Sequence, residues 1–414
     1  MSRFFILFLV LISGAAAADL KLSAEGAASY AVAHNPSLAA ARWRIDEARG
    51  RWRQAGRLAN PEVEVELSRN IAAPEGAWGV GLTQKFPITA RLRLEKAVAQ
   101  GEIAAAEAEL KNEERKLGGE VRAVVVKILA QREERALQET QASHSKELNA
   151  FLTKRVEAGE IGALDLAQGN LETKQIEAEL LRIQATEAVL LEELRPVLGV
   201  RPGQRLEITG ALSAPERLPG SGGQATNRAD YLAAQAQIAM ADRSVELARA
   251  NKWEDVGVGL TAQRERSEDA PDGFQSDTFV GLKFSVPLPL WNRNEGKIAE
   301  TVAAAARARQ EAEAVAATIR GEAASARVEM AALAKVVAKL DEELIPAAVK
   351  IEEQFRASYA AGQLPLPEVL RARSKRIELA RQRVETLRDY HLARARYQTA
   401  LGTPILSKNF KTKK

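Results

Sequence analysis

The chain of 414 residues contains no cysteine, only three histidines and only three methionines. Without cysteine there can be no disulfide, no thiolate metal site and no cysteine-borne lipid anchor. His34, His144 and His391 are scattered, with no metal-ligand spacing among them. Walker-type loops and nucleophile elbows are also missing, so no catalytic machinery, metal site or cofactor is expected. Beyond the N-terminus no run reaches the ~18 apolar residues that a membrane-crossing helix needs. Charge of one sign is lacking too. The 59 basic and 55 acidic residues are interspersed and leave a net charge of only +4. That mixture reads as a solvated surface and not as a nucleic-acid patch.

What is present begins with a leader. Arg3, the apolar run Phe4 to Ile12 and the small residues Ala15 to Ala18 mark residues 1–18 as a secretory signal peptide, too short to span a bilayer. Lys408 to Lys414 form a basic tail, expected to be disordered.

Between these ends the chain repeats itself. Asn35-Pro36-Ser37-Leu38 matches Arg228-Ala229-Asp230-Tyr231, and Val63-Glu64-Val65-Glu66-Leu67 matches Val256-Gly257-Val258-Gly259-Leu260 at the same spacing. Val80-Gly81-Leu82 matches Val280-Gly281-Leu282, Ala158-Gly159 matches Ala361-Gly362, and Leu198-Gly199 matches Leu401-Gly402, the spacing only growing. This is an internal duplication with two small insertions. The expected organisation is a first repeat over 19–202, a Pro/Gly-rich linker over 203–226, a second repeat over 227–403 and the tail over 404–414.

Each repeat reads helix, strand, strand, very long helix, turn, helix. Asn35 is a good N-cap and Pro36 suits the first helical position, which predicts a helix to about Leu58. Val63, Val65 and Leu67 alternate with Glu62, Glu64 and Glu66, and Trp78, Val80 and Leu82 alternate with Gly79, Gly81 and Thr83: a period of two, hence strands. From Thr89 to Glu157 there is no proline, which predicts one helix on the order of 100 Å long. Leu164 to about Leu194 returns as a helix, stopped by Pro196 and Gly199. In the second repeat a helix is expected over Asp230–Asn251, strands around Val256–Ala262 and Val280–Val286, and a polar loop over Glu265–Asp277. A helix over Glu295–Ala360 should kink or break at Pro346, and a last helix should reach Leu401.

Strands of this length with one apolar and one small or polar face suit a transmembrane β-barrel, with an ordinary soluble sheet as the alternative. Four strands cannot close a barrel, so a barrel would need several copies, three giving about twelve strands. The long helices carry narrow Ala/Leu/Val seams that demand neighbours.

The Asn-Pro-Ser-Leu start, the Asn60-Pro61-Glu62 approach to the first strand and the Ala-Gly turns resemble TolC-type outer-membrane factors over nearly the whole mature chain. Pro287-Leu288-Pro289-Leu290-Trp291-Asn292-Arg293-Asn294-Glu295-Gly296 is similar to the heavy-metal, CzcC-like branch. Phe86-Pro87-Ile88-Thr89-Ala90-Arg91 departs from the Gly-Gly-Lys/Arg turn of many relatives, and the lipidated cysteine of some is missing. The resemblance implies a mixed α and β fold, mostly α: four strands per protomer in the outer-membrane barrel of a homotrimer, continuous with a long α-helical periplasmic barrel. It also implies a periplasmic adaptor (membrane fusion) protein and an inner-membrane RND pump as partners. The expected role is an exit duct for divalent heavy-metal cations. Drug efflux, type I protein secretion and a soluble periplasmic coiled-coil adaptor are the other readings.

Under that resemblance Gly159, Gly362, Arg155 and Tyr359 lie at the periplasmic tip that docks the adaptor. Asp165 and Glu368, equivalent across the repeat, would ring the aperture with Arg371 beside them; acids favoured by a helix N-terminus are the plainer reading. Arg155 would pair with Asp165 across the turn, or stand as a solvated surface arginine. Glu62, Glu64, Glu66 and Lys283 would face the barrel lumen. Trp78, Phe86, Phe284 and Trp291 would form aromatic girdles against outer-membrane lipid, with ordinary packing as the alternative.

Overall fold

The structure, a computed structural model, describes residues 20–201, 203–216, 228–269 and 271–402. The segments read as signal peptide and basic tail, and part of the segment read as linker, lie outside the described residues. In chain order the elements are β1 (Leu20–Ser23), α1 (Ala24–His34), α2 (Pro36–Gln54), β2 (Glu62–Arg69), β3 (Gly76–Phe86), α3 (Arg91–Glu157), α4 (Ala163–Leu198), β4 (Leu206–Thr209), α5 (Ala229–Ala250), β5 (Val256–Asp269), β6 (Gly273–Ser285), α6 (Glu295–Lys339), a π-helical turn (Leu340–Leu344), α7 (Ile345–Ala360) and α8 (Leu366–Ala400).

These elements form two compact units. Among the described residues, 20–38, 114–216 and 321–402 make a helical unit, and 39–113 and 228–320 make a unit that holds the main sheet. Each repeat contributes to both units.

In the sheet unit the strands run in the order β2-β3-β5-β6, all antiparallel. Helices accompany them. Arg51 on α2 reaches Glu102 on α3 at 2.6 Å, and Lys96 lies 4.5 Å over the Trp52 ring. Ala241 on α5 packs with Ala305 and Ala308 on α6, small side chains that let two helices approach closely.

The core of the helical unit joins Leu22, Ala27, Ala28 and Ala31 to Val121, Val125, Ile128, Leu194, Leu198, Leu206 and Ile208. A short parallel pair, β1 with β4, closes one side of it. Asn35 locks the α1–α2 junction: its Oδ1 accepts from the backbone N–H of Ser37 and Leu38, and its Nδ2 donates to the Val197 carbonyl.

Four expectations need correction, and the expected break near Pro346 is present. Helix α2 stops at Gln54 and not near Leu58, because Gly56 takes a left-handed φ of 70°. Helix α4 runs through Pro196 to Leu198. The fully buried Leu194 and Leu198 hold its last turn, and Gly199 in the left-handed region ends it. The supposed polar loop Glu265–Asp277 is mostly strand, since β5 and β6 continue in register to Asp269 and Gly273. Pro346 does interrupt the helix, as a five-residue π-turn. Pro346 then sits in the first turn of α7, where a missing N–H costs nothing, and the Ile345 N–H reaches back to the Leu340 carbonyl. Finally, residues read as linker contain β4 and a strap beyond it.

That strap is clamped by polar contacts. Arg132 donates to the Ile208 carbonyl and to Glu187, which also accepts from Arg135 at 2.7 Å. Glu133 accepts from the Leu212 N–H, Tyr390 accepts from the Glu216 N–H, and Arg394 pairs with Glu216. His391 is buried and its Nε2–H donates to the Ser213 carbonyl at 2.8 Å. Burial pushes its pKa down, with the Ser213 hydrogen bond and Glu216 opposing and Arg394 assisting. The folded state therefore resists a proton that the unfolded chain accepts below about 6.5. His391 should cost no stability above that pH and should cost stability progressively below it, by at most about 1.4 kcal/mol per pH unit. Thermal unfolding followed by far-ultraviolet circular dichroism from neutral to mildly acidic pH should fall more steeply for the native chain than for His391→Gln. Equal slopes would show that His391 does not carry the dependence.

Candidate functional site: a two-faced sheet and two helical turns

The register assigns every strand residue to one of two faces. Crossing the strands, Val63, Leu82, Leu260 and Leu282 form one row, Val65, Val80, Ala262 and Val280 the next, then Leu67, Trp78, Arg264 and Thr278. Toward the other end of the sheet the same face carries Val258 with Phe284 and Phe86 with Val256. Apart from the half-buried Val256 and Val258, these side chains are exposed, Leu67 by 80 % and Val280 by 78 %. A soluble sheet buries such a face, so the pattern is that of a surface built for an apolar environment.

The opposite face is small and charged. Glu62, Thr83, Gly259 and Lys283 share one row, Glu64, Gly81, Thr261 and Gly281 the next, then Glu66, Gly79, Gln263 and Phe279. Lys85 pairs with Glu62 at 2.6 Å and Lys283 with Glu64 at 3.2 Å. Among the described residues Glu66 has no ion-pair partner. Glu62, Glu64, Lys85 and Lys283, with Thr83 and Ser285, line a cleft of about 620 Å³. The four candidate lumen residues thus share one face, with Glu62 and Glu64 held in ion pairs and Glu66 left uncompensated among the described residues. Sequence reading missed Lys85, whose place beside Glu62 depends on the pairing of β2 with β3. It also missed Phe279, an aromatic on the polar face.

Of the four candidate girdle aromatics, Trp78, Phe86 and Phe284 share the apolar face. Trp78 lies toward the hairpin ends and the other two toward the helix-connected end. Trp291 follows the sheet and is 94 % exposed.

In the helical unit the two turns are copies of each other. Gly159 and Gly362 both have φ of 72°. The Gly159 N–H donates to the Val156 carbonyl and Glu160 N–H to Arg155; Gly362 N–H donates to Tyr359 and Gln363 N–H to Ser358. Both are Schellman caps. Asp165 and Glu368 each open the returning helix, with equivalent backbone bonds to Gly162 and Pro365. Leu152, Tyr359, Leu366 and Val369 bring the two turns into one apolar cluster.

Arg155 does not pair with Asp165. Its Nε donates to Glu160 Oε2 at 2.9 Å, a partner five residues away, and its guanidinium lies 5.6 Å from both the Phe151 and Tyr359 rings. Burial raises the Tyr359 hydroxyl pKa, Arg155 opposing and Asp165 assisting. Glu368 is held by Arg371 through both oxygens at 2.9 Å. Of the two equivalent acids, Asp165 makes no ion pair among the described residues.

A long-helix fold with an open, two-faced antiparallel sheet is the architecture of outer-membrane export ducts. The outer membrane efflux protein family model matches this chain twice, over residues 27–200 and 224–403. The chain belongs to that family, a family of outer-membrane efflux channels, and the double match follows its internal duplication. It is 25% identical over 307 residues to the cobalt-zinc-cadmium resistance protein CzcC of Cupriavidus metallidurans, covering 70% of this chain and 68% of that protein. Among solved structures it is similar to CusC, with a TM-score of 0.76, 18% identity and 91% of each chain covered. It is also similar to the outer membrane protein VceC of Vibrio cholerae, with a TM-score of 0.72, 20% identity and 92% of this chain and 96% of that one covered.

Proposed function

We propose that three copies of this chain form the outer-membrane exit duct of a tripartite efflux system that exports divalent heavy-metal cations. The observation that carries the duct is the sheet. Its strands β2 and β6 are open edges, and an open edge is not tolerated in lipid. Four strands are also too few to close on themselves. Three copies pair those edges into a barrel of about twelve strands, with the exposed apolar face toward lipid and the Glu62, Glu64, Glu66, Lys85 and Lys283 face toward the lumen. Trp78, Phe86, Phe284 and Trp291 then mark the membrane interfaces.

The long helices extend into the periplasm. Their turns at Gly159 and Gly362, with Arg155 and Tyr359, dock a periplasmic adaptor that links the duct to an inner-membrane RND pump. Asp165 lines the aperture, and Glu368 contributes less there because Arg371 offsets its charge. Leader removal accompanies export.

The metal cargo is supported by the likeness to a cobalt-zinc-cadmium resistance protein. Deleting the gene should sensitise cells to zinc, cobalt or cadmium and leave dye tolerance unchanged, with the protein in the outer-membrane fraction. Sensitisation to dyes alone would move the reading to drug efflux. Recovery in the soluble periplasm would replace the duct with an adaptor.

A further inference from the structure

Beyond the apolar rows the same sheet face changes character abruptly. Arg264 stands in the row of Leu67 and Trp78. In the next row Arg69 and Arg266 flank Gly76, each paired with it in register. Strands lie about 4.8 Å apart, so the two arginines rise roughly 10 Å from each other across a residue with no side chain. Arg266 lies 5.1 Å over the Phe274 ring. All three arginines are exposed, and among the described residues none makes an ion pair. Of the acids at this end of the sheet, Glu265 and Asp277 fall on the opposite face, and Glu268 lies one row further out on this one.

The position of the cluster sets its partner. From Val256 to Arg266 the chain advances about 33 Å at ~3.3 Å per residue, which a strand tilt near 40° reduces to about 25 Å of height. That is the height of the apolar band of an outer-membrane barrel. The arginines stand where the band ends, beside Trp78 at the level favoured by interfacial aromatics. They are at the hairpin end, away from the helix connections.

We propose that Arg69, Arg264 and Arg266, with Trp78 and Phe274, form a binding site for the phosphorylated headgroups of outer-leaflet lipid. The guanidinium forks match phosphate oxygens in geometry and charge, and Gly76 leaves room between them. The site rests on the reading of the sheet as a membrane-spanning wall.

The test uses the full-length protein in phosphatidylcholine vesicles doped with diphosphorylated lipid A or its dephosphorylated form, with retained lipid counted by native mass spectrometry. The phosphorylated form should be retained in preference. The Arg69→Gln/Arg264→Gln/Arg266→Gln variant should bind it roughly a hundredfold more weakly, since each basic residue near a membrane surface is worth about fivefold. Millimolar inorganic phosphate should not displace it. Equal retention of both lipids by inserted, conducting protein would sink the site and leave the duct standing. Displacement by free phosphate would reduce it to a general anion site. Failure of the native chain to insert would overturn the duct and the site together.

Discussion

Gly199→Val should be the most damaging single substitution in the helical unit. Gly199 ends α4 with φ of 71°, a conformation that costs a branched residue about 1–2 kcal/mol. The larger effect is steric. A Cβ at this position would lie 2.4 Å from the His34 carbonyl oxygen and 3.0 Å from its carbon. These are backbone atoms of the α1–α2 junction that Asn35 fixes, so neither side can yield. Overpacking against such a site adds about 1–3 kcal/mol, and together with the backbone term the loss should come to about 2–5 kcal/mol. Gly159→Val is the internal comparison. Its φ is 72°, yet nothing lies within 4 Å of the added carbon, so it should lose only the conformational share. Thermal unfolding of both variants measures the difference. A Gly199→Val protein as stable as Gly159→Val would mean that the α4 end does not press on His34.

The duplication made much of this fold readable. A strand cannot hide an alternation such as Val63-Glu64-Val65-Glu66-Leu67. A proline-free stretch from Thr89 to Glu157 leaves few options but helix, and α3 extends over 67 residues. The glycine turns were readable because a helix end at positive φ demands that residue, and Gly159 and Gly362 adopt the same angle with matching hydrogen bonds. The illegible parts depended on distant partners. Leu206-Glu207-Ile208-Thr209 is a four-residue alternation, too short to stand out. It becomes a strand by pairing with Leu20–Ser23 and by the clamp of Arg132 on the Ile208 carbonyl. The stretch Glu265–Asp277 looked like a loop because Arg, Glu, Ser and Asp are poor strand formers. Its register is imposed by the apolar rows below it.

The candidate site divides along the same line. Which strand residues share a face follows from a period of two, so the grouping of Glu62, Glu64 and Glu66 was readable from β2 alone. Their partners were not. Lys283 is far from Glu64 in sequence and meets it from across the sheet, in the row next to its own. Arg155 was expected to reach Asp165 and instead takes Glu160, because the Schellman turn folds that nearer residue back onto the helix end. Local pattern specifies faces and turns; ion pairing is decided by which side chains the turns and sheet bring within a few ångströms.

In the proposed duct, converting Lys85 and Lys283 to glutamate should make the channel strongly cation selective. An uncompensated row of Glu62, Glu64 and Glu66 would already favour cations, but Lys85 and Lys283 hold two of the three carboxylates in ion pairs. Each copy therefore presents one surplus carboxylate in these rows, with Glu265 and Asp277 further out on the same face, and the native barrel should favour cations only moderately. Lys85→Glu with Lys283→Glu raises the surplus to five per copy, all on one face of the sheet. Charge of one sign in a narrow passage with low-dielectric walls produces potentials of several kT. The ratio of cation to anion permeability should rise on the order of tenfold at low ionic strength. At molar salt the Debye length shrinks to about 3 Å and most of the gain should vanish. Reversal potentials in planar bilayers under a potassium chloride gradient measure both effects. A reversal potential unchanged by the double substitution, in protein that inserts and conducts, would mean that this face does not line the conduit. The lysines would then serve only to hold neighbouring strands in register. A shift that persists undiminished at high salt would point to a rearranged pore and not to its charge.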